Sequence, residues 1–348
     1  MSRPPAVKHR LVHLLAVGAA LLMFTGAAAA QSCPGGARKI NVGVSVTPPN
    51  VPHTSPYVAR ALGLFAKHCV DASILQFDGG QSPAALAAVA QGSAIANVTD
   101  VAIGRGAHAI QIWGIVPRMP QSYVVTPEIK SASDLKGKKL SAAGGGVGGF
   151  QWRMGREALR RGGLAIDDAQ FISQATAGRL AGIVTGIIDG VALHPEDAYL
   201  AIKSKPGAHV LFELSDLVPN FVFNVYGVNT DWLKRDRALL RDTIAAMIEA
   251  NRIIYREKDK VVPIMVEATQ KPRDAVEYAW ERDTGNCVWG INEGFNAART
   301  SWTIDNNVEV GDIDPAHKPS LAQVFDLDFA KEAVEAAGGR TTIGNCTE

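Results

Sequence analysis

The stretch KINVGVSVTPPNVPHTSPYVARALGLF, residues 39–65, decides the fold. Every second one of its first eight residues is isoleucine or valine, which predicts a strand over residues 39–46. The prolines that follow, beginning with Pro48, require an open loop. Ser55-Pro56 is typical of a helix start, because a hydroxyl caps a helix and proline suits its first turn. A strand, a loop and a helix in this order form the first unit of an α/β layer.

The same alternation continues along most of the chain. Apolar runs predict further strands over residues 71–77, 94–99, 109–116, 169–173, 188–193 and 209–213. Helices are expected to open at Ser82-Pro83, to cover 150–161, to begin near Thr176 and at Pro195, and to cover 239–255 and 328–337. The extended segments 121–126 and 220–229 are expected to cross between two bodies, and a loop-rich stretch is expected around Cys287, Trp289 and Trp302.

Residues 1–30 carry the pattern of a secretory signal peptide. Lys8 and Arg10 precede an apolar run over residues 11–24, and three alanines ending at Ala30 fit the cleavage rule, so we expect cleavage after Ala30 and export to the periplasm. The apolar run is too short to span a bilayer. A lipid anchor at Cys33 is a weaker alternative, because the residues before it fit a lipobox poorly.

Composition and charge exclude several classes of function. Without residues 1–30 the chain has 32 basic and 34 acidic residues, so it offers neither a basic nucleic-acid surface nor a polybasic membrane surface. The six histidines beyond the signal lack metal-ligand spacing, and neither a G-x-S-x-G nor an H-E-x-x-H motif is present. We therefore expect no enzyme, no metal site, no cofactor and no nucleic-acid partner.

Four cysteines remain after the signal, an even number that favours disulfides in an oxidising compartment. We expect the pairs Cys33–Cys69 and Cys287–Cys346. Cys33 and Cys69 precede the first and second predicted strands, and neighbouring parallel strands bring their starting points together. Four unpaired buried thiols are the alternative.

Several segments together resemble one family of transport proteins. They are YVARALGLF at 57–65, ALAAVAQG at 85–92, DLKGK at 134–138, GIVTGIIDG at 182–190 and LDF at 327–329. Their order and spacing resemble the periplasmic binding proteins of nitrate, sulfonate and taurine ABC importers, grouped with the thiamine-pyrimidine-precursor (NMT1-like) proteins. The glycine loop 144–149 and the large region 280–302 depart from the family pattern.

The resemblance implies a two-lobed α/β fold, the type II periplasmic-binding-protein fold, with a central ligand cleft and two crossing segments. Lobe I would comprise 31–124 plus 229–348, and lobe II 125–228. The resemblance also implies that the protein is a monomer whose partners are a small-molecule ligand and the importer permease of the inner membrane. The expected ligand is a small organic or inorganic anion; a thiamine-pyrimidine-like heterocycle is the alternative, and an exported enzyme or sensor a weaker one.

A cleft in this architecture lies at the carboxyl ends of strands, beside helix N-termini. There, unpaired amides and the helix dipole hold an anion without a buried lysine. Plain helix capping is the competing interpretation at each such junction. The candidate residues at these junctions are Thr54, Ser55, Tyr57, Gly80, Ser82, Thr99, Asp100, Gly146, Gly148 and Thr176.

Further candidates have side chains suited to a ligand. They are Phe150 and Trp152 for stacking, His194 and Glu196 after a strand, Asn224 on the return crossing, and Arg105 or Arg118 as carboxylate partners. Core packing, dipole complementation and surface salt bridges are the competing roles. The glycines 144, 146 and 149 also match a dinucleotide motif, but the acidic residue expected after the next strand is missing.

Overall fold

The strands of the described residues form two five-stranded sheets. The computed structural model describes Met1 and residues 33–79, 87–89, 94–97 and 99–348, so most of the expected signal peptide and the helix start at Ser82-Pro83 lie outside it. The strands are β1 Arg38–Val44, β2 Val70–Gln76, β3 Ala94–Asn97, β4 Ala109–Val116, β5 Ser122–Val125, β6 Lys139–Ser141, β7 Gln170–Ile172, β8 Gly190–Leu193, β9 His209–Glu213 and β10 Asn224–Asn229.

Helices follow most strands and make up most of the last third of the chain. They are α1 Ser55–Ala61, α2 Leu64–Lys67, α3 Asp100–Gly104, α4 Phe150–Arg161, α5 Arg179–Thr185, α6 Pro195–Ser204, α7 Leu214–Leu217, α8 Thr230–Arg235, α9 Arg237–Arg256, α10 Lys258–Thr269, α11 Arg273–Gly285, α12 Ala297–Glu309, α13 Leu321–Val324 and α14 Leu327–Ala336. Among the described residues, no helix combines the length and apolar character that a bilayer crossing needs.

The chain changes sheet twice. The first sheet has the order β2-β1-β3-β10-β4 and the second the order β7-β6-β8-β5-β9. β1, β2 and β3 are parallel, but β10 runs antiparallel to both of its neighbours. β5 likewise runs antiparallel to β8 and β9. β5 and β10 are thus the first strands after the two changes of sheet. Each runs in the direction opposite to its neighbours in the sheet that it enters.

The expected lobe limits, 124/125 and 228/229, fall inside β5 and β10, a few residues after the connections between the sheets. β5 lies wholly in the second sheet and ends at Val125, and β10 lies wholly in the first and ends at Asn229. The connections between the sheets are the short segments 117–121 and 218–223. The assignment of 31–124 plus 229–348 and 125–228 to two lobes stays a prediction.

Each sheet has its own hydrophobic core. Trp113 of β4, Met247 of α9 and Phe329 of α14 are completely buried against the first sheet. Leu140 of β6 and Leu159 of α4 play the same part in the second. Two cores of this kind require apolar runs on the strands and one apolar face on each covering helix, which is the pattern of the sequence.

Two disulfides confirm the expected cysteine pairing. Cys33–Cys69 joins the segments before β1 and β2, with Cα atoms 5.5 Å apart. Cys287–Cys346 ties the end of the chain to the segment after α11, with Cα atoms 5.3 Å apart. The expectation of a loop around Trp302 was wrong, because Trp302 lies within α12. The side chain of Trp302 packs from this helix against the core of the second sheet.

Candidate functional site

A cavity of about 290 Å³ lies where elements of both sheets meet. One wall comes from segments that follow β1, β2 and β3, and the other from segments that follow β6, β7 and β8. This is the carboxyl edge of the parallel strands, where open α/β sheets hold their ligands. Its polar, charged and aromatic lining side chains include Thr99, Asp100, Gln121, Phe150, Arg153, Thr176, Arg179, His53, His194, Phe221 and Phe223.

The glycine loop brings the two walls close together. Gly144 has φ +65°, and an added Cβ would lie 2.7 Å from Thr176 Oγ1. A Cβ on Gly79, which follows β2, would lie 3.1 Å from the carbonyl oxygen of Gly144. Gly79, with φ +97°, lies against the backbone of Gly144, and Gly144 combines a positive φ with a close side-chain neighbour, so both positions favour glycine. The loop leads into the N-terminus of α4, whose first amides have no partner within the helix.

Arg179 is a buried cation at this cavity. Its side chain is 5% exposed; Nε donates to the carbonyl of Thr176 at 3.0 Å and Nη2 donates to Asn50 Oδ1 at 2.9 Å. Within the described part of the chain, no carboxylate oxygen lies within the 4 Å of an ion pair. Burial lowers the pKa of its guanidinium below the usual value, while the nearby carboxylates of Asp197, Glu196 and Asp78 act in the opposite direction. These carboxylates lie beyond ion-pair distance and balance the buried guanidinium only in part, so the site favours an anion.

Arg153, by contrast, already has a counter-ion. Its Nε lies 3.0 Å from Asp312 Oδ2, and Nη2 donates to Asn307. Asn307 donates in turn to Asp100 Oδ2 at 2.7 Å. This network links α3, α4 and α12 beneath the cavity and leaves Arg153 with little unbalanced charge.

Two neutral histidines line the same cavity. Burial lowers the pKa of His53 to about 3, with Arg179 adding to the effect, and it lowers the pKa of His194 well below 6.5. Gln121 Nε2 and His194 Nε2 are 2.7 Å apart. Because an amide nitrogen only donates, Nε2 of His194 accepts, and the ring proton is on Nδ1. Neither histidine Nδ1 has a hydrogen-bond partner in the described residues.

Three phenylalanines form the apolar wall. The rings of Phe150 and Phe223 are 5.4 Å apart in an edge-to-face arrangement, and Phe150 and Phe221 are 6.4 Å apart. Phe223 also lies 6.1 Å from His53 and 5.7 Å from His194. Phe221 and Phe223 come from the connection that returns to β10, so the second crossing supplies part of the wall.

Seven of the candidate residues chosen from sequence line the cavity. They are Thr99, Asp100, Gly148, Phe150, Thr176, His194 and Asn224. Thr99 also caps α3, since its Oγ1 accepts from Ala102 N at 3.4 Å. Both the backbone N and Oγ1 of Thr176 donate to Asp78. Arg105, named as a carboxylate partner, lines the cavity as well, whereas Arg118 lies 3.7 Å from Glu348 in a salt bridge.

The other candidate residues lie elsewhere. Thr54 Oγ1 donates to Val51 O, and Ser55 Oγ donates to Asn251 at 2.5 Å, so both hydroxyls turn into the core instead of capping α1 toward the cleft. Tyr57 accepts from Gln76 at 2.7 Å. These three side chains therefore do not reach the cavity.

Trp152, Gly146 and Glu196 also lie off the cavity lining. The ring of Trp152 packs against Phe171, 5.9 Å away, on the opposite face of α4. The N–H of Gly146 donates within its loop to Ala142 at 3.2 Å. Gly80 and Ser82 lie outside the described residues.

Glu196 is fully buried at the N-terminus of α6, where it joins the two walls. Its Oε1 accepts from Asn50 Nδ2 at 2.7 Å and from Val51 N at 3.0 Å. Asn50 also donates to Asp197 at 2.9 Å, and Asp197 pairs with Lys271 at 2.5 Å. Asn50 follows β1 of the first sheet and Glu196 follows β8 of the second, so these hydrogen bonds hold the two walls together.

Sequence reasoning missed Arg179, the most informative residue of the site. One signal was available, because a cation in the first turn of a helix opposes the helix dipole and needs a specific reason to be there. His53 was passed over within a proline-rich loop, and Phe223 within a segment interpreted as a crossing strand. His53 and Phe223 line the cavity because of the way the chain passes between the two sheets, and local sequence does not determine that path.

Comparison with known proteins establishes the family. Residues 50–260 match the family model described as NMT1/THI5 like, so the chain belongs to that family. No curated protein sequence matches it. Among solved structures, the periplasmic aliphatic sulphonate binding protein SsuA from Escherichia coli is 20% identical, with a TM-score of 0.61 over 81% of this chain and 92% of that one.

Two further solved structures share the fold. The periplasmic nitrate-binding protein NrtA from Synechocystis PCC 6803 is 14% identical, with a TM-score of 0.66 over 86% of this chain and 89% of that one. The desulfurization enzyme DSZB, bound to biphenyl-2-sulfinic acid, is 14% identical, with a TM-score of 0.61 over 85% of this chain and 99% of that one. These matches confirm the type II periplasmic-binding-protein fold, which carries both binding proteins and an enzyme.

Proposed function

We propose that this protein captures a small organic anion in the cavity between its two sheets and delivers it to an ABC importer. The observation that carries the proposal is Arg179, a buried guanidinium that lines the cavity and, among the described residues, donates to the neutral oxygens of Thr176 and Asn50. The glycine loop and the N-terminus of α4 add amide donors on the same wall. SsuA and NrtA, whose names describe sulphonate and nitrate binding, support the anion class.

Ligand capture would be coupled to closure of two lobes. The predicted lobes, 31–124 plus 229–348 and 125–228, would rotate about the two crossings. A ligand shifts such an equilibrium only as far as it binds the closed form more tightly than the open form. Arg179 is placed to do this, because it lines the cavity and also donates to Asn50, which follows β1.

The cellular setting follows from the same proposal. We infer export by residues 1–30 with cleavage after Ala30, residence in the periplasm and delivery to an inner-membrane permease by a monomeric binding protein. Two disulfides suit an oxidising compartment. The structural neighbours named as periplasmic binding proteins support the same location.

The heterocycle alternative depends on aromatic side chains, which the phenylalanine wall supplies, and on Glu196 as a ligand contact. That carboxyl lies off the cavity lining and already accepts from Asn50 and Val51, which favours an anion over a pyrimidine. An enzyme is a further alternative, because the desulfurization enzyme DSZB shares the fold. All four cysteines are in disulfides, so none of them offers a free thiol as a nucleophile. We propose binding without turnover.

Titration calorimetry with a panel of carboxylates, sulfonates and inorganic oxyanions tests the proposal. Arg179→Gln should weaken binding of the best anion about 30-fold or more, because it removes the charge that faces the ligand. Arg161→Gln, at an exposed position at the end of α4, is the matched control and should leave the affinity unchanged. No heat and no melting shift with any anion would refute the proposal, and so would equal affinity in the Arg179 variant. Consumption of a ligand during incubation would show turnover.

A further inference from the structure

The charges at the cavity are suited to one negative charge on the ligand. Arg153 is paired with Asp312, and it is further balanced through Asn307 by Asp100. The lining histidines, His53 and His194, are neutral because they are buried beside Arg179. Among the buried lining cations, Arg179 alone has no ion pair in the described residues. A second anionic group on the ligand would therefore meet no further buried counter-charge, and Arg105, which is exposed, would be the lining cation left to balance it.

The volume of the cavity calls for an organic body on the ligand. Its volume of about 290 Å³ is at the lower end of the roughly 300–1,000 Å³ that pockets for small organic molecules occupy. A bare oxyanion at Arg179 would leave most of that space, including the phenylalanine wall, in contact with water. An organic group that covers the wall removes its apolar surface from water and so contributes to affinity.

The wall itself is aromatic. Phe150 and Phe223 stand edge to face, and Phe221 extends the cluster at 6.4 Å from Phe150. Phe150 and Phe223 are only half-buried and line the cavity, so their rings are available to a ligand. A flat ring adds to such a cluster in an offset or edge-to-face geometry, with a gain beyond the area that it covers.

The ligand's polar edge would meet histidine. His53 lines the cavity beside Phe223 and near Arg179, and its Nδ1 is buried without a partner among the described residues, so the rest of the ring would meet the ligand. A neutral imidazole offers one donor and one acceptor. It therefore tolerates a hydroxyl or amino substituent on a ring and does not select for a second charge.

We propose that the ligand is an aromatic monocarboxylate or monosulfonate, its acid group at Arg179 and its ring against Phe150 and Phe223. This rests on the proposed function and narrows it from small organic anions in general to singly charged aromatic acids. His53 faces the ring substituents.

Matched ligands separate the parts of this proposal. Calorimetry would compare benzoate, benzenesulfonate and the three monohydroxybenzoates with cyclohexanecarboxylate, terephthalate and nitrate. Cyclohexanecarboxylate keeps the six-membered ring and the single charge but is not aromatic. Terephthalate adds a second charge, and nitrate lacks an organic body. We expect the best aromatic monoanion to bind at least fivefold more tightly than each of these three controls.

Variants then assign the preference to the wall. Phe223→Leu keeps an apolar side chain but removes the ring, and should reduce the ratio of benzoate to cyclohexanecarboxylate affinity at least threefold. Phe171→Leu is the control, since its ring packs on Trp152 away from the cavity, and it should leave the ratio unchanged. A ratio near one in the unmodified protein, or a ratio insensitive to Phe223→Leu, would overturn the inference while anion binding stands. Failure of every anion to bind would remove both proposals together.

Discussion

Replacing Glu196 by glutamine should stabilise the protein at alkaline pH and not at acidic pH. The carboxyl is completely buried, and burial, reinforced by Asp197, raises its pKa from 4.5 to about 7. Oε1 accepts from Asn50 and Val51, while Oε2 has no partner in the described residues. A glutamine can keep the accepting oxygen and places an uncharged amide where the second oxygen lies.

The sign follows from the proton count in the two states. Below pH 4.5 the carboxyl is protonated in both the native and the unfolded chain, so it contributes nothing to the pH dependence. Between pH 4.5 and 7 the unfolded chain has lost the proton that the native state retains, and stability falls as pH rises. The difference between 4.5 and about 7 corresponds to a cost of about 3 kcal/mol, fully present above pH 7.

The neighbouring Asp283 acts in the same direction. It is also fully buried, and burial raises its pKa, with the charge of Glu196 as the next cause. Removing that charge therefore relieves Asp283 as well at high pH. The advantage of Glu196→Gln over the unmodified protein should grow from near zero at pH 4.5 to about 3 kcal/mol at pH 8.

Urea unfolding at half-unit steps from pH 4.5 to 8.5 would measure this difference. Subtracting the two proteins cancels the titration of all groups that the substitution leaves undisturbed. Glu267→Gln on the exposed face of α10 is the control and should change stability by less than about 0.5 kcal/mol throughout. A Glu196→Gln advantage that is constant with pH, or that shrinks toward pH 8, would refute the reasoning.

Three further predictions concern packing and covalent links. Gly114→Ala should lower the free energy of unfolding by about 3 kcal/mol or prevent folding, because its Cβ would lie 2.0 Å from the carbonyl oxygen of Gly294; urea unfolding of the variant measures this. Replacing Cys287 and Cys346 by alanine should cost about 2–5 kcal/mol in the same assay, and a cost within error of zero would contradict a structural role. Asn50→Ala should cost about 3 kcal/mol through its lost buried hydrogen bonds, and thermal melts that match the unmodified protein would contradict it.

The sequence predicts most of the layered fold because local signals and tertiary structure agree there. β4 and β9 begin and end at the predicted residues, as does α4. Each has an apolar pattern bounded by glycine, proline or polar residues, and packing reinforces that pattern. At Trp302 the local signal and the structure disagree. Its helix, α12, is polar on one side, so the sequence suggests a loop. In the structure, Trp302 packs against the core of the second sheet, which stabilises the helix.

The candidate site was predictable where a strand ends at a helix start. Thr99, Thr176 and His194 line one cavity because parallel strands bring their carboxyl ends to one edge. Ser55 has the same local signal, yet its hydroxyl turns toward Asn251 of α9. A capping pattern identifies a junction, but the helix packed behind that junction decides which way the side chain points.

Arg179 could not have been ranked by local sequence, because its importance lies in what surrounds it. Its guanidinium is costly to bury, yet it donates to a carbonyl and to Asn50 instead of forming an ion pair. Asn50 is held from the other side by Glu196 and Asp197. The residue that would meet the ligand is thus one hydrogen bond away from the contacts that join the two sheets. An anion bound at Arg179 would add a direct counter-charge beside that joined arrangement, which is how we propose that binding at the cavity favours closure around it.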